Sequence, residues 1–319
     1  MRRTLVVLVA LYAVVVGAVA PAWAAWPDQP IRIVVPYPAG GAVDVMMRVL
    51  APLMSEKLGQ AVVIDNRAGA NADLGTAIVA GAKPDGYTFL ASATYLTVNP
   101  LLETGLNWKT SDLVPVAGLS RTWNLFMANG SSPWKDLGDF VTAARAHPGL
   151  AVAPGGAGSP QTMAFRMLRV RAGLQFTEIP YKGSPPLMID LANGTLAMGV
   201  VPLAATVGML EGGKLKALAV ASERRSKLLP GVQTTVEAGY PDVIAESWYG
   251  LHAPAGTPAA ILKAVAEAAR IATADAKARE TAAKAGGETA FLDTADFAAM
   301  LKRDRERWEK IVAETNKDQ

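Results

Sequence analysis

Ile31–Leu50 reads IRIVVPYPAGGAVDVMMRVL, and its two halves follow different periods. The first half is rich in β-branched residues and predicts a strand over Ile31–Tyr37. The second repeats its apolar residues at helical spacing and predicts a helix from Ala42 to about Leu58. Pro38-Ala39-Gly40-Gly41 joins them. A glycine-rich turn from strand to helix leaves backbone N–H groups bare, because the first helical turn has no internal partner for them. Such amides are open to an anion.

The alternation continues along the chain. Ala61–Asn66 is predicted as the next strand, followed by a helix over about Asn71–Ala82. KPDGYTFLAS places a Pro-Asp-Gly turn ahead of a strand at Tyr87–Ser92. This order implies parallel strands joined by right-handed crossovers. Asn99–Ser120 is looser. Further strands are expected at Leu125–Ala128, Ala151–Ala153, Phe176–Pro180, Thr195–Val200 and Leu215–Ala221. SSPWKDLGDFVTAARAHPG is a helix, with Ser132 expected at the N-cap and Pro133 at the first helical position. SWYGLHAPAGTP returns to a strand, and Thr257-Pro258 opens an Ala-rich helix over Ala259–Ala285. Asp293 or Thr294 caps a last helix with Phe297, Leu301, Trp308, Ile311 and Val312 on one face. No low-complexity linker interrupts the chain. Two α/β lobes joined by crossing strands are therefore expected, one inserted between two halves of the other.

The chain has 319 residues, 51% of them hydrophobic and 18% charged, enough to fold as about two domains. Arg2 and Arg3, the apolar run Leu5–Ala20 and Ala22-Trp23-Ala24 have the layout of a secretory signal cleaved near Ala24. An uncleaved anchor is the rival reading, although the run is short for a span of ~20 residues. Export by the general secretory route to the periplasm is expected. Cleavage would remove Arg2 and Arg3 and lower the net charge from +3 to +1. The basic clusters ERRSK and LKRDRERWEK mix signs, so nucleic acid is not an expected partner. There is no cysteine, which excludes disulfides, thiolate metal sites and a lipidated cysteine.

Three loops share one character: YPAGGAVD (Tyr37–Asp44), APGGAGSPQT (Ala153–Thr162) and PYKGSPP (Pro180–Pro186). In open parallel sheets ligands sit at the carboxyl ends of strands, where such loops lie. Two or three helix N-termini with Ser or Thr hydroxyls would hold a small carboxylate without an arginine clamp. Each loop can equally be read as a tight connection. GGAGSPQ departs from the dinucleotide fingerprint at Gln161. Walker, nucleophile-elbow and metal-ligand spacings are missing, and no cofactor is expected. His147 reads as a solvated residue at a helix end, and His252 as structural or pocket-lining rather than catalytic. Asp44 serves either as a first-turn acid or on the ligand side.

WPDQPIRIVVPYPAGGAVDVMMRVLAPLMSEKLGQAVVIDNRAGA resembles the amino-terminal signature of the Bug-type extracytoplasmic receptors, the substrate-binding proteins of tripartite tricarboxylate transporters. The resemblance runs on through KPDGYTFLAS, GAGSPQTMAF, IPYKGSPPLMIDLANG, GGKLKALAVAS, VEAGYPDVIAESWYGLHAPAGTP and DFAAML…RWEKIV. It implies a type II-like periplasmic-binding-protein fold, with two doubly wound lobes, a hinge and an interlobe cleft. The first lobe would comprise Ala25–Arg121 with Glu246–Gln319, the second Thr122–Ala245. Carried over by position, Tyr37, Ala39, Gly40, Gly41 and Asp44 form the first wall, with Ser92, Ala93 and Thr94 beside them. Gly158, Ser159, Thr162, Tyr181 and Gly183 form the opposing wall.

Two departures stand out. Thr162 stands where the family pattern has a histidine, and Ala197 and Val201 stand where it has acidic residues. A more apolar second wall suits a monocarboxylate, or a carboxylate with an aromatic or aliphatic body, and not an amino group or a distal polar end. The resemblance implies a non-enzymatic, monomeric receptor delivering its ligand to integral-membrane transporter subunits. A ligand-sensing co-receptor and an exported serine hydrolase using Ser159 are the alternatives.

Overall fold

The computed structural model describes residues 26–155, 159–181, 184–284 and 286–315. The expected leader, residues 1–24, lies outside the described residues. Strand β1 is Ile31–Val35 and helix α1 is Ala42–Leu58; β2 is Val62–Asn66. A single 3-10 turn, Ala70–Ala72, precedes α2 (Asp73–Ala80). Then come β3 (Thr88–Ala93), α3 (Tyr95–Leu102), β4 (Leu113–Thr122) and β5 (Asn124–Asn129). Next are α4 (Leu137–Ala146), β6 (Leu150–Ala153), α5 (Pro160–Ala172), β7 (Phe176–Glu178) and α6 (Ser184–Ala192). β8 (Met198–Pro202), α7 (Val207–Glu211), β9 (Leu215–Val220) and β10 (Ser247–Pro254) follow. The chain closes with α8 (Ala259–Ala274), α9 (Ala276–Lys284), β11 (Gly287–Leu292) and α10 (Thr294–Thr315).

The strands form two sheets, ordered β11-β4-β10-β3-β1-β2 and β7-β6-β8-β5-β9. β1 lies between β2 and β3 and is parallel to both. In the second sheet β6 lies between β7 and β8, again parallel. These are the strand-helix-strand units that the alternating sequence implies. β10 and β5 run antiparallel to their neighbours and complete the sheets. Each sheet has its own core: Ile33, Val34, Leu50 and Phe89 belong to one, Phe126, Phe140, Phe165 and Leu168 to the other. Among the described residues no helix is long and apolar enough to cross a membrane.

The chain leaves the first sheet at Thr122 and rejoins it at Ser247, and these two residues are partners in the β4–β10 register. Asn124, fully buried, laces the crossings together. Its Nδ2 donates to the Ala245 carbonyl and, at 3.2 Å, to Ser247 Oγ. Its Oδ1 accepts from Gln161 Nε2 of α5 at 2.6 Å.

The last helix departs from the expectation that the tail belongs to one lobe. Phe297 of α10 packs in the first core, whereas Trp308 and Ile311 pack in the second. α3 does the same through Val98. Buried Asp304 joins them: it accepts from Thr97 Oγ1 at 2.7 Å and Trp248 Nε1 at 3.0 Å.

Four local expectations are corrected. The stretch Asn99–Ser120 holds most of β4, which the punctuation by Pro115 and Gly118 conceals; Pro115 pairs at a register shift opposite His252, where a strand tolerates proline. The helix after β5 starts at Leu137, capped by Asp136 accepting from Asp139 N–H at 2.9 Å, not at Ser132. The Ala-rich helix breaks at Asp275, whose carboxylate accepts from the N–H groups of Lys277 and Ala278. β11 follows it as an unexpected edge strand of the first sheet.

Candidate functional site

A cleft of about 420 Å³ opens where the ends of β1, β3 and β10 face the start of α5. The first wall is the turn out of β1. Gly40 there has a φ of +82°, a conformation that glycine adopts without strain. The turn is held from beneath by Asp44, whose side chain is buried. Asp44 Oδ2 accepts from Gly40 N–H at 2.8 Å and from Arg48 Nε at 2.9 Å. Its Oδ1 accepts from Asn66 Nδ2 at 2.9 Å. Burial pushes the Asp44 carboxyl up, but the hydrogen bonds from Arg48, Gly40 and Asn66 outweigh it and hold the pKa below the usual range.

Asp44 is therefore a brace under the turn, not part of the cleft surface, and it engages the Gly40 amide expected to meet ligand. Tyr37, Pro38, Gly41 and Val43 are the residues of this wall that reach the cleft. Ala39 and Gly40 shape the turn without being among its lining. Gly41 is the N-cap of α1 and provides no side-chain hydrogen bond. The first-turn amides of α1 are thus uncapped by any side chain, at the positive end of a 17-residue helix dipole.

The opposing wall is the start of α5. Ser159 and Pro160 line the cleft. Ser159 Oγ caps the helix, accepting from Thr162 N–H at 3.2 Å. Thr162 itself is buried behind that cap. Tyr181 turns away from the cleft lining and donates to Asp190 Oδ2 at 2.5 Å. That bond to Asp190, with burial, raises its pKa to about 12. Val201 is fully buried in an apolar cluster with Leu125 and Leu187 and does not line the cleft. Gly158 and Gly183 lie outside the described residues.

Between the walls, Ala93 and Thr94 at the end of β3 line the cleft, but Ser92 does not. Ser92 is fully buried and its Oγ lies 2.7 Å from His252 Nδ1. Burial depresses the His252 pKa to about 3, so the ring is neutral. The pair is a core contact, consistent with a structural His252. Among the described residues no base is hydrogen-bonded to Ser159, whose hydroxyl is engaged by Thr162. Among the described residues no cluster of His, Asp and Glu could hold a metal ion.

Sequence reasoning missed Tyr95, Tyr249, Asn71 and Asn99, which all line the cleft. The alternation in SWYGLHAP signals that Ser247 and Tyr249 share one face of β10. Tyr95 stands edge-on to Tyr37, with ring centroids 5.9 Å apart, and its hydroxyl meets Thr76 Oγ1 at 2.8 Å. Asn71 gave no signal at all. It sits in a run of three non-glycine residues with positive φ, Ala70 (+46°), Asn71 (+51°) and Ala72 (+75°). Such residues cost about 1–3 kcal/mol each and persist where surrounding contacts dictate them.

Among the described residues no Lys, Arg, Asp or Glu lines the cleft. Burial raises the Tyr37 and Tyr249 hydroxyls, Tyr249 to about 12, so both stay neutral donors. The arrangement offers the N-termini of α1 and α3, neither with a side-chain cap, together with neutral hydroxyls and aromatic faces.

Comparison with known proteins agrees with this geometry. Residues 46–317 match the family described as the tripartite tricarboxylate transporter family receptor. The protein BugT of Bordetella pertussis is 34% identical over 98% of this chain and 97% of its own length. An R. palustris structure with adipate is 29% identical with a TM-score of 0.79, covering 91% of this chain and 98% of that one. MatC from Rhodopseudomonas palustris with bound malate is 29% identical with a TM-score of 0.74, covering 90% and 100%. With a two-sheet α/β fold, a cleft between facing helix starts, and a match over most of its length, the chain belongs to the tripartite tricarboxylate transporter receptor family, the Bug-type periplasmic solute-binding receptors.

Proposed function

We propose that this chain captures a small organic monocarboxylate in the cleft between its two sheets and delivers it, unchanged, to membrane subunits of a tripartite tricarboxylate transporter. The carboxylate would sit on the uncapped first turn of α1, reached by the Tyr37 and Tyr249 hydroxyls. The body of the ligand would lie against Tyr95, Val43 and Pro160. The observation that carries this reading is a helix N-terminus opening without a side-chain cap into a cleft lined, among the described residues, by no charged side chain. An anion is favoured there by the helix dipole and the orphan amides. The volume fits a small molecule, since ligand pockets start near ~300 Å³. The neighbours with malate and adipate bind dicarboxylates; here no described lining residue is cationic to meet a second carboxylate.

Isothermal calorimetry with aromatic and short aliphatic monocarboxylates, citrate and aspartate tests this. Tight binding of a monocarboxylate, with the ligand recovered intact and the melting temperature raised by it, is expected. Tight binding of citrate or aspartate with no response to any monocarboxylate would refute the preference. Periplasmic location, from a leader cleaved near Ala24, and a monomeric state belong to the same proposal. Fractionation with N-terminal sequencing and light scattering check them.

A further inference from the structure

The geometry points to Asn71 as the residue that reads the far end of the ligand, selecting a tail that donates a hydrogen bond and rejecting a second carboxylate. This rests on the proposed carboxylate site and adds the second half of its specificity. Asn71 lines the same cleft as the α1 N-terminus. Its Nδ2 donates to Glu103 Oε1 at 2.8 Å and to Asn99 Oδ1 at 3.3 Å. A carboxylate only accepts, so Glu103 fixes which way the Asn71 amide faces. Both Nδ2 hydrogens are then committed. Oδ1 remains, an acceptor with no partner among the described residues.

The main chain of Asn71 is held as well. The Asn71 carbonyl accepts from Asn99 Nδ2 at 2.9 Å, and Asn99 is buried. Asn99 therefore grips Asn71 twice, once at the side chain and once at the main chain. These contacts hold the left-handed run Ala70–Ala72 in place and present the side chain to the cleft. Glu103, exposed and negative, stands behind the amide and disfavours a second carboxylate by like-charge repulsion. A hydroxyl or other donor at the tail meets an acceptor that a methyl group cannot satisfy. The polar recognition absent from the second wall is thus supplied from the first, which refines the expectation of a wholly apolar distal end.

The test is calorimetry on the full mature chain with short ω-hydroxyalkanoates, each paired with the alkanoate bearing methyl in place of hydroxyl, and with the matching dicarboxylates. Wild-type protein should prefer the best hydroxy acid over its methyl partner by about tenfold. Asn71→Gly keeps a residue at ease with positive φ, so the fold should survive. It should bring the pair within about twofold, by lowering the hydroxy-acid affinity more than the alkanoate affinity. Glu103→Gln, at an exposed position, should raise the dicarboxylate affinity about tenfold. No hydroxyl preference in wild type, or a preference that Asn71→Gly leaves intact, would overturn the assignment. Failure of every carboxylate to bind any of the three proteins would overturn the cleft reading itself, and this inference with it.

Discussion

The two turns that face each other across the cleft share a plan: a strand ends, small residues follow, a helix begins. They are finished differently. At the second wall Ser159 caps α5 and Pro160 removes one of the orphan donors. At the first wall Gly41 caps nothing, and the acid in the first helical turn, Asp44, points beneath the turn to hold Gly40, Arg48 and Asn66. One helix start has satisfied itself; the other is left open. In the proposed binding mode the charge of a ligand is drawn to the open one, and the second wall contributes shape.

The largest expected effect comes from closing the open wall. Gly41 has a φ of −70°, so any residue fits its backbone, with the Pro38 carbonyl 3.3 Å from an added Cβ. Gly41→Asp would place a capping carboxylate on the amides of α1. Stability should rise by a few tenths of a kcal/mol, while carboxylate affinity falls at least ~100-fold. Urea melts and calorimetry on the same preparation read both; unchanged affinity would break the contrast between the walls.

Removing the brace comes next. Asp44→Ala should cost about 2–3 kcal/mol and about tenfold in affinity, because Gly40, Arg48 and Asn66 lose their common acceptor. The folded pKa of Asp44 is depressed. Its stabilisation is therefore present above the unfolded value of ~3.9 and lost as pH falls through the folded one. Wild-type and variant urea midpoints should converge below about pH 4. A gap that persists in acid would show that the carboxylate charge is not what the turn depends on.

Ser159→Ala should cost about 1 kcal/mol through the lost cap and change affinity less than about threefold, since its hydroxyl is already engaged by Thr162. A large affinity loss would make the second wall a charge-binding wall too. The smallest effect concerns pH. With His252 neutral above about 3 and Tyr249 neutral up to about 12, affinity should vary less than about twofold between pH 6 and 9. Calorimetry at both ends of that range checks it.

The contrast between the walls was only half legible in the sequence. Ile31–Asn66 was readable because β-branched runs and helical spacing agree with the global fold there, and α1 begins and ends where its periodicity predicts. That Asp44 braces instead of facing ligand depends on Asn66, 22 residues away, and such pairing leaves no local mark. Ser92 is next in sequence to the cleft residue Ala93, but successive strand residues point to opposite faces, and Ser92 falls on the buried side; Val201 is far in sequence from every lining residue and packs with Leu125 and Leu187. Asn71 was invisible because the contacts that place it come from Asn99 and Glu103, 28 and 32 residues away, and the flanking Ala70 and Ala72 show no sequence preference for the left-handed turn they adopt. β4 was hidden by a proline that only its partner strand's irregular register accommodates.

The lacing at Asn124 has a mechanical consequence. One amide holds both crossing segments with its nitrogen and the opening turn of α5 with its oxygen. The opening turn of α5 and the segment that rejoins the first sheet are thus tied to one side chain with no relay between them, so Asn124→Ala would loosen both at once.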